Sequence, residues 1–219
     1  MRPNQRRAWD AYRDRYVLDV PRLDTSTSIH PAAAMNLIEV FGRDAELIVE
    51  IGPGSGDSLI PMAAARPRAN VLALEVYQPA IARMLSQLAR TGLDNVRIVE
   101  ADAVPALEYL VPAGSVDEIW LFFPDPWHKA RHHKRRLLNP EFAALCASRL
   151  RPRGKMRIAT DWGDYAEWIR EVLDSDPSFV SLYPNGWAPR WDARPITHFE
   201  QRGLDAGRQI FDLAYRRVG

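Results

Sequence analysis

With one cysteine, Cys146, the chain has no partner for an internal disulfide and no thiolate cluster to hold zinc. Long apolar runs are missing too. No segment approaches a membrane span, and the N-terminus, MRPNQRRAWDAYRDRY, contains nothing that reads as a signal peptide. The expectation is a cytoplasmic protein with no use for a membrane or a metal. There is also no excess of charge of one sign. Against 28 acidic residues stand 29 basic ones, a formal net charge of +1, so any attraction to a polyanion has to come from local clustering. Internal repeats and low-complexity linkers are likewise absent. What is present is ordinary soluble composition, 47% hydrophobic and 26% charged over 219 residues, enough for one large α/β domain or at most two small ones.

From Glu46 onward, short apolar runs alternate with helical patterns, as in a parallel sheet wrapped by helices. The pattern predicts strands at 47–51, 71–75, 96–100, 117–123 and 155–160. It predicts helices from about Asp57 and over 80–90, 141–150 and 165–173, with a turn at 151–154 ahead of the fifth strand. Segments 179–183 and 209–216 read as a closing antiparallel pair. Residues 1–45 read as a basic, mobile N-terminal extension, with Arg2, Arg6, Arg7, Arg13, Arg15 and Arg22 followed by a polar stretch from Asp24 to Ser28. The domain proper is expected at 46–219.

Between the first strand and the first helix of that domain lies Glu50-Ile51-Gly52-Pro53-Gly54-Ser55-Gly56-Asp57. Glycines here let the main chain turn tightly and approach a ligand, with helix N–H groups facing it. The dinucleotide fingerprint G-x-G-x-x-G fails, because its third glycine would fall on Asp57. Glu75 ends the second predicted strand, Asp102 follows the third and Asp125 follows the fourth. Each acid alone reads as a solvated loop carboxylate. Together with Glu50 they occupy equivalent strand ends, where open parallel sheets bind ligands. Such acceptors suit a cationic centre, a ribose diol and an exocyclic amine, the three features of S-adenosylmethionine.

The densest signal is Phe122-Phe123-Pro124-Asp125-Pro126-Trp127-His128-Lys129, running into Ala130-Arg131-His132-His133-Lys134-Arg135-Arg136. Two prolines pin the backbone around Asp125, and five cations follow within eight residues. The reading is an active-site loop that receives a nucleic-acid base, with phosphates met by the cations; the plain alternative is a solvated charged face. Trp127 reads equally as a base-stacking surface and as a core plug. Asp161 reads equally as a base ligand and as the N-cap of the next helix. Cys146 is expected in the core. By local pattern alone, the late cluster Thr197, Phe199, Glu200 and Arg202 reads as a loop.

These segments resemble the bacterial TrmB-type tRNA (guanine-N7-)-methyltransferases. The likeness is carried by EIGPGSG at 50–56, LEVYQPA at 74–80, DA at 102–103 and LFFPDPWHKARHHKRR at 121–136. ATDWGDYAEW at 159–168 and RPITHFEQRG at 194–203 add to it. The resemblance implies a Rossmann-like class I methyltransferase fold, a mostly parallel seven-stranded sheet with helices on both faces. It also implies S-adenosylmethionine as cofactor and N7 of a guanine in the tRNA variable loop as target. Cofactor positions by this likeness are Glu50, Gly52, Gly54, Gly56, Glu75, Asp102 and Asp125, with Asp125 also catalytic. Substrate and tRNA positions are Lys129, Arg131, His132, His133, Lys134, Arg135, Arg136, Asp161, Thr197, His198, Phe199 and Glu200. Pro53 and His198 depart from the family's pattern. A monomer or homodimer without an obligate protein partner is expected. The competing readings are a non-catalytic tRNA-binding protein, a partner-dependent subunit, and a methyltransferase of another substrate.

Overall fold

The computed structural model describes residues 1–219, which fall into two compact units, Met1–Pro112 and Ala113–Gly219. In the first unit, β1 (Leu47–Ile51) pairs in parallel with β2 (Asn70–Glu75), and β2 with β3 (Val96–Glu100). Every residue of β1 and β2 is buried, which is why their sequences are continuous apolar runs and not alternating ones. Around them lie α1 (Pro3–Tyr16), α2 (Leu37–Phe41), α3 (Leu59–Ala65), α4 (Gln78–Thr91) and α5 (Ala103–Pro105), the last running on as a π-helical turn, Ala106–Leu110.

Helix α4 starts at a Gln-Pro pair, buries Ile81, Met84, Leu85 and Leu88, and stops at Gly92, whose φ of 68° is cheap only for glycine. The basic helix α1 lies along it. Gln5 donates to the Pro79 carbonyl at 3.0 Å, and the buried Tyr16 hydroxyl donates to the Leu88 carbonyl at 3.3 Å. The polar stretch that follows α1 is tied down as well: Arg22 donates to the Glu100 carbonyl, and Asp102 N–H to the Thr27 carbonyl at 3.0 Å.

In the second unit, β4 (Val116–Phe122) pairs in parallel with β5 (Leu150–Thr160), preceded by α6 (Pro140–Arg149) and followed by α7 (Gly163–Ser175). The short β6 (Phe179–Ser181), α8 (His198–Asp205) and β7 (Phe211–Arg217) complete it. β7 runs antiparallel to both β5 and β6, the closing pair expected from the sequence. The seven strands are mostly parallel, in the order 3-2-1 in the first unit and 4-5-7-6 in the second. Cys146 is buried in α6.

Two local expectations change. The turn at 151–154 is a bulge inside β5: Val116 pairs with Leu150 while Glu118 pairs with Lys155, and Arg153 takes a φ of 68° to absorb the extra residues. The stretch after Thr197 is helix α8 and no loop, because the Thr197 hydroxyl accepts from Glu200 N–H at 3.2 Å and caps it. No helix is long and apolar enough to cross a membrane.

Candidate active site

In the first unit the glycine turn leaves β1 through three left-handed residues, Gly52, Gly54 and Gly56, with φ of 67°, 58° and 84°. A side chain would be strained at all three. They differ in surroundings. A Cβ on Gly56 would lie 2.8 Å from Met84 Cγ, so Gly56 serves packing; Gly52 and Gly54 face open space.

Glu75 organises this turn. Its Oε2 accepts from Gly54 N–H at 2.8 Å, and its Oε1 accepts from Val76 and Tyr77 N–H, both at 2.8 Å. Oε1 is therefore filled by two amides, and spare acceptor capacity remains on Oε2. Val76 and Tyr77 are exposed beside it. Asp102 is also exposed; it accepts from Val104 N–H at 2.9 Å and caps α5.

Glu50 is different in kind. It is buried, its Oε1 accepts from the Ser58 hydroxyl at 2.8 Å, and its Oε2 has no hydrogen-bond partner. Burial pushes its pKa up to about 8, against a smaller lowering from Ser58. An orphaned buried carboxylate oxygen is costly and points to a partner of opposite polarity. Ser58 carried no sequence signal, since its role depends on where α3 begins.

In the second unit Asp125 is exposed on a loop bracketed by two left-handed non-glycine residues, Phe123 at φ 53° and Trp127 at φ 47°. Lys129, Arg131, Lys134 and Arg135 are exposed on the segment that follows, with the 3-10 turn Ala130–Arg135 fanning them out. His132 and His133 are half-buried, and His133 lies 3.8 Å from Asp164. Arg135 sits over the ring of Trp127 at 5.0 Å, and His128 packs on Trp162 with ring centroids 4.1 Å apart. Arg136 departs from its neighbours. Only 4% exposed, it donates to the Pro126 carbonyl at 3.0 Å and pairs with Asp164.

Asp161 pairs with Arg208 at 2.8 Å and packs closely on Gly203 of α8. On α8, His198 and Phe199 are exposed, Phe199 at 63% with Arg202 over its ring at 4.5 Å. Thr197 is buried at the cap, and Glu200 is fully buried between Arg190 at 2.8 Å and Arg194 at 2.5 Å. Arg194 in turn holds both oxygens of Asp212, at 3.1 and 3.0 Å. Arg190, Arg208 and Asp212 had no sequence signal, and Arg194 stood in a family-like segment with no role of its own: single charged residues announce no partner that is distant in the chain.

A family model described as a putative methyltransferase matches residues 44–213. A tRNA (guanine-N(7)-)-methyltransferase of Cutibacterium acnes is 50% identical over 220 residues, covering 100% of this chain and 80% of that protein. Another, from a Nocardioides species, is 46% identical, covering 99% of this chain and 83% of its own. Among solved structures, the 16S rRNA methyltransferase KamB superposes with a TM-score of 0.58 at 18% identity, over 83% of this chain and 92% of that one. Likeness at that identity concerns the fold alone, a Rossmann-like class I methyltransferase. The match in sequence, at half of all positions across the whole chain, reaches further: this chain belongs to the tRNA (guanine-N(7)-)-methyltransferase family.

Proposed function

We propose that this chain transfers the methyl group of S-adenosylmethionine to N7 of a guanine in the tRNA variable loop, with Asp125 holding the base. The observation that carries the cofactor half is the set of acceptor oxygens in the first unit. Glu50 has an orphaned buried oxygen, Glu75 keeps capacity on Oε2, and Gly52 and Gly54 leave open space before the turn. Those groups fit a ligand with a cationic end, a ribose diol and an adenine amine. Glu50 serves the cationic end, Glu75 the ribose through Oε2, and Asp102 the adenine amine. When bound, S-adenosylmethionine supplies a methyl group made electrophilic by its sulfonium.

Guanine N7 carries an in-plane lone pair and no proton, so its attack needs no general base. The chain's own task is to align the base and to stabilise charge. Asp125 accepts from N1–H and the 2-amino group and faces the positive charge that develops on the purine. Lys129, Arg131, Lys134 and Arg135, exposed on one segment, meet backbone phosphates. Asp161 and the start of α8 with Thr197, His198 and Phe199 complete the substrate side. In this reading residues 46–219 form the methyltransferase domain, 1–45 are its N-terminal extension, and the chain works in the cytoplasm as a monomer or homodimer.

The test is transfer of labelled methyl from S-adenosylmethionine to an unmodified tRNA transcript, beside the same transcript with the variable-loop guanine changed to adenine. Methylation of the first alone is expected. Equal methylation of both would overturn the choice of base, and none with cofactor binding intact would point to another substrate or a required partner.

A further inference from the structure

We propose that Arg136 and Arg194 are positioning residues, two buried guanidiniums that clamp the loop carrying Asp125 from its two ends. The inference rests on the catalytic reading of Asp125 given above. It departs from the expectation that Arg136 meets RNA.

The loop needs an anchor. Phe123 and Trp127 both sit in the left-handed region, a backbone choice that side-chain-bearing residues keep only when their surroundings impose it. Between them, Pro124 and Pro126 have no N–H to donate, so the prolines stiffen the loop without tying it to anything. One backbone bond enters it, from Phe123 N–H to the Ala159 carbonyl at 2.7 Å.

Arg136 holds the far end. Its Nε donates to the Pro126 carbonyl, one residue past Asp125, at 3.0 Å. The guanidinium is fixed from behind by Asp164 and lies over the Tyr165 ring at 4.9 Å, while Tyr165 accepts from Leu138 N–H at 3.1 Å. Arg194 holds the near end. It is fully buried, locked by Glu200 at 2.5 Å and by both oxygens of Asp212. So locked, its guanidinium lies over the rings of Phe122 at 5.4 Å and Phe123 at 5.3 Å. Both tasks need a planar cation that stacks on a ring while its edge makes directed hydrogen bonds, which arginine does and lysine does not. Neither guanidinium is open to a phosphate. Glu200 then acts through Arg194, holding the same end of the loop, and does not touch the base.

Arg136→Lys and Arg194→Lys keep the charge and remove the planar contact. Asp164→Asn, at an exposed side chain, loosens Arg136 with little risk to folding. Each is read by single-turnover methylation at saturating tRNA, the salt dependence of tRNA binding, and thermal melting. Expected for Arg136→Lys is a rate loss of about tenfold to a hundredfold, as misplacement of a reacting group by an ångström brings. Its tRNA affinity and salt slope should stay unchanged, and Asp164→Asn should show a smaller loss of the same kind. In an Asp125→Asn background the further loss from Arg136→Lys should shrink to less than about twofold, since the two act as one.

A salt slope flattened by about 0.7–0.9 would make Arg136 a phosphate ligand and overturn the clamp. So would a rate loss undiminished in the Asp125→Asn background, or wild-type rates in both Asp164→Asn and Arg194→Lys. Should the unaltered chain fail to methylate tRNA at all, the catalytic reading falls and takes the clamp with it. Normal methylation with unaffected variants sinks the clamp alone.

Discussion

Gly54 N–H donates to Oε2 of Glu75 at 2.8 Å, so the turn after β1 and the acid that ends β2 behave as one piece. Replacing Glu75 with Ala takes the acceptor from three backbone amides at once, those of Gly54, Val76 and Tyr77. The expected cost is about 1–3 kcal/mol of stability, because two of these residues are exposed and water replaces part of the loss. Glu75→Gln keeps an acceptor but loses the charge, and should weaken S-adenosylmethionine about tenfold or more while the fold survives. Calorimetric titration checks the affinity and thermal melting checks the fold.

Glu50 makes the free protein's stability depend on pH with a definite sign. Its folded pKa, about 8, lies above the ordinary value of 4.5. Between those values the folded chain keeps a proton that the unfolded chain has lost, so stability falls as pH rises, by up to about 1.4 kcal/mol per pH unit. The contribution is fully present below 4.5 and gone above 8. Glu50→Gln removes it. The variant should melt higher than the parent at pH 8.5 and close to it at pH 4.5; a difference that does not grow with pH would contradict the assignment.

Two neighbours on α8 should respond in opposite ways. Glu200→Ala takes the carboxylate from Arg190 and one of the two that hold the buried Arg194, leaving it with Asp212 alone, at a cost of about 3–5 kcal/mol. Phe199→Ala, at a mostly exposed ring, should leave melting unchanged. If the ring stacks on a base, that change weakens tRNA binding by about 1–3 kcal/mol. Melting curves and filter binding, run on both variants, separate the two effects.

For the cationic segment the readout is salt. Changing Lys129, Arg131, Lys134 or Arg135 to Gln should each flatten the slope of log affinity against log salt by about 0.7–0.9 if the residue meets a phosphate. Melting should not move, because all four are exposed. A slope indifferent to all four changes would mean that this segment is simply a solvated face.

Much of this protein follows from local sequence. The apolar runs at 47–51 and 71–75 are strands, since segments buried on both faces need no partner to declare themselves. The glycines at 52, 54 and 56 turn as expected, because their left-handed conformations are intrinsic to the residue. Four acids stand at or just past the ends of strands one to four, which is a matter of counting along the chain. Tertiary structure alone decided which charges are buried. Arg135 and Arg136 are adjacent and chemically identical, yet one is exposed over Trp127 and the other is shut away against Pro126, Asp164 and Tyr165. Glu200 reads by local pattern as part of a loop until Arg190 and Arg194 close on it, and Glu50 reads as one of four equivalent strand-end acids until burial raises its pKa and sets it apart. Desolvation is set by neighbours far away in the chain, so no local pattern in the sequence reports it.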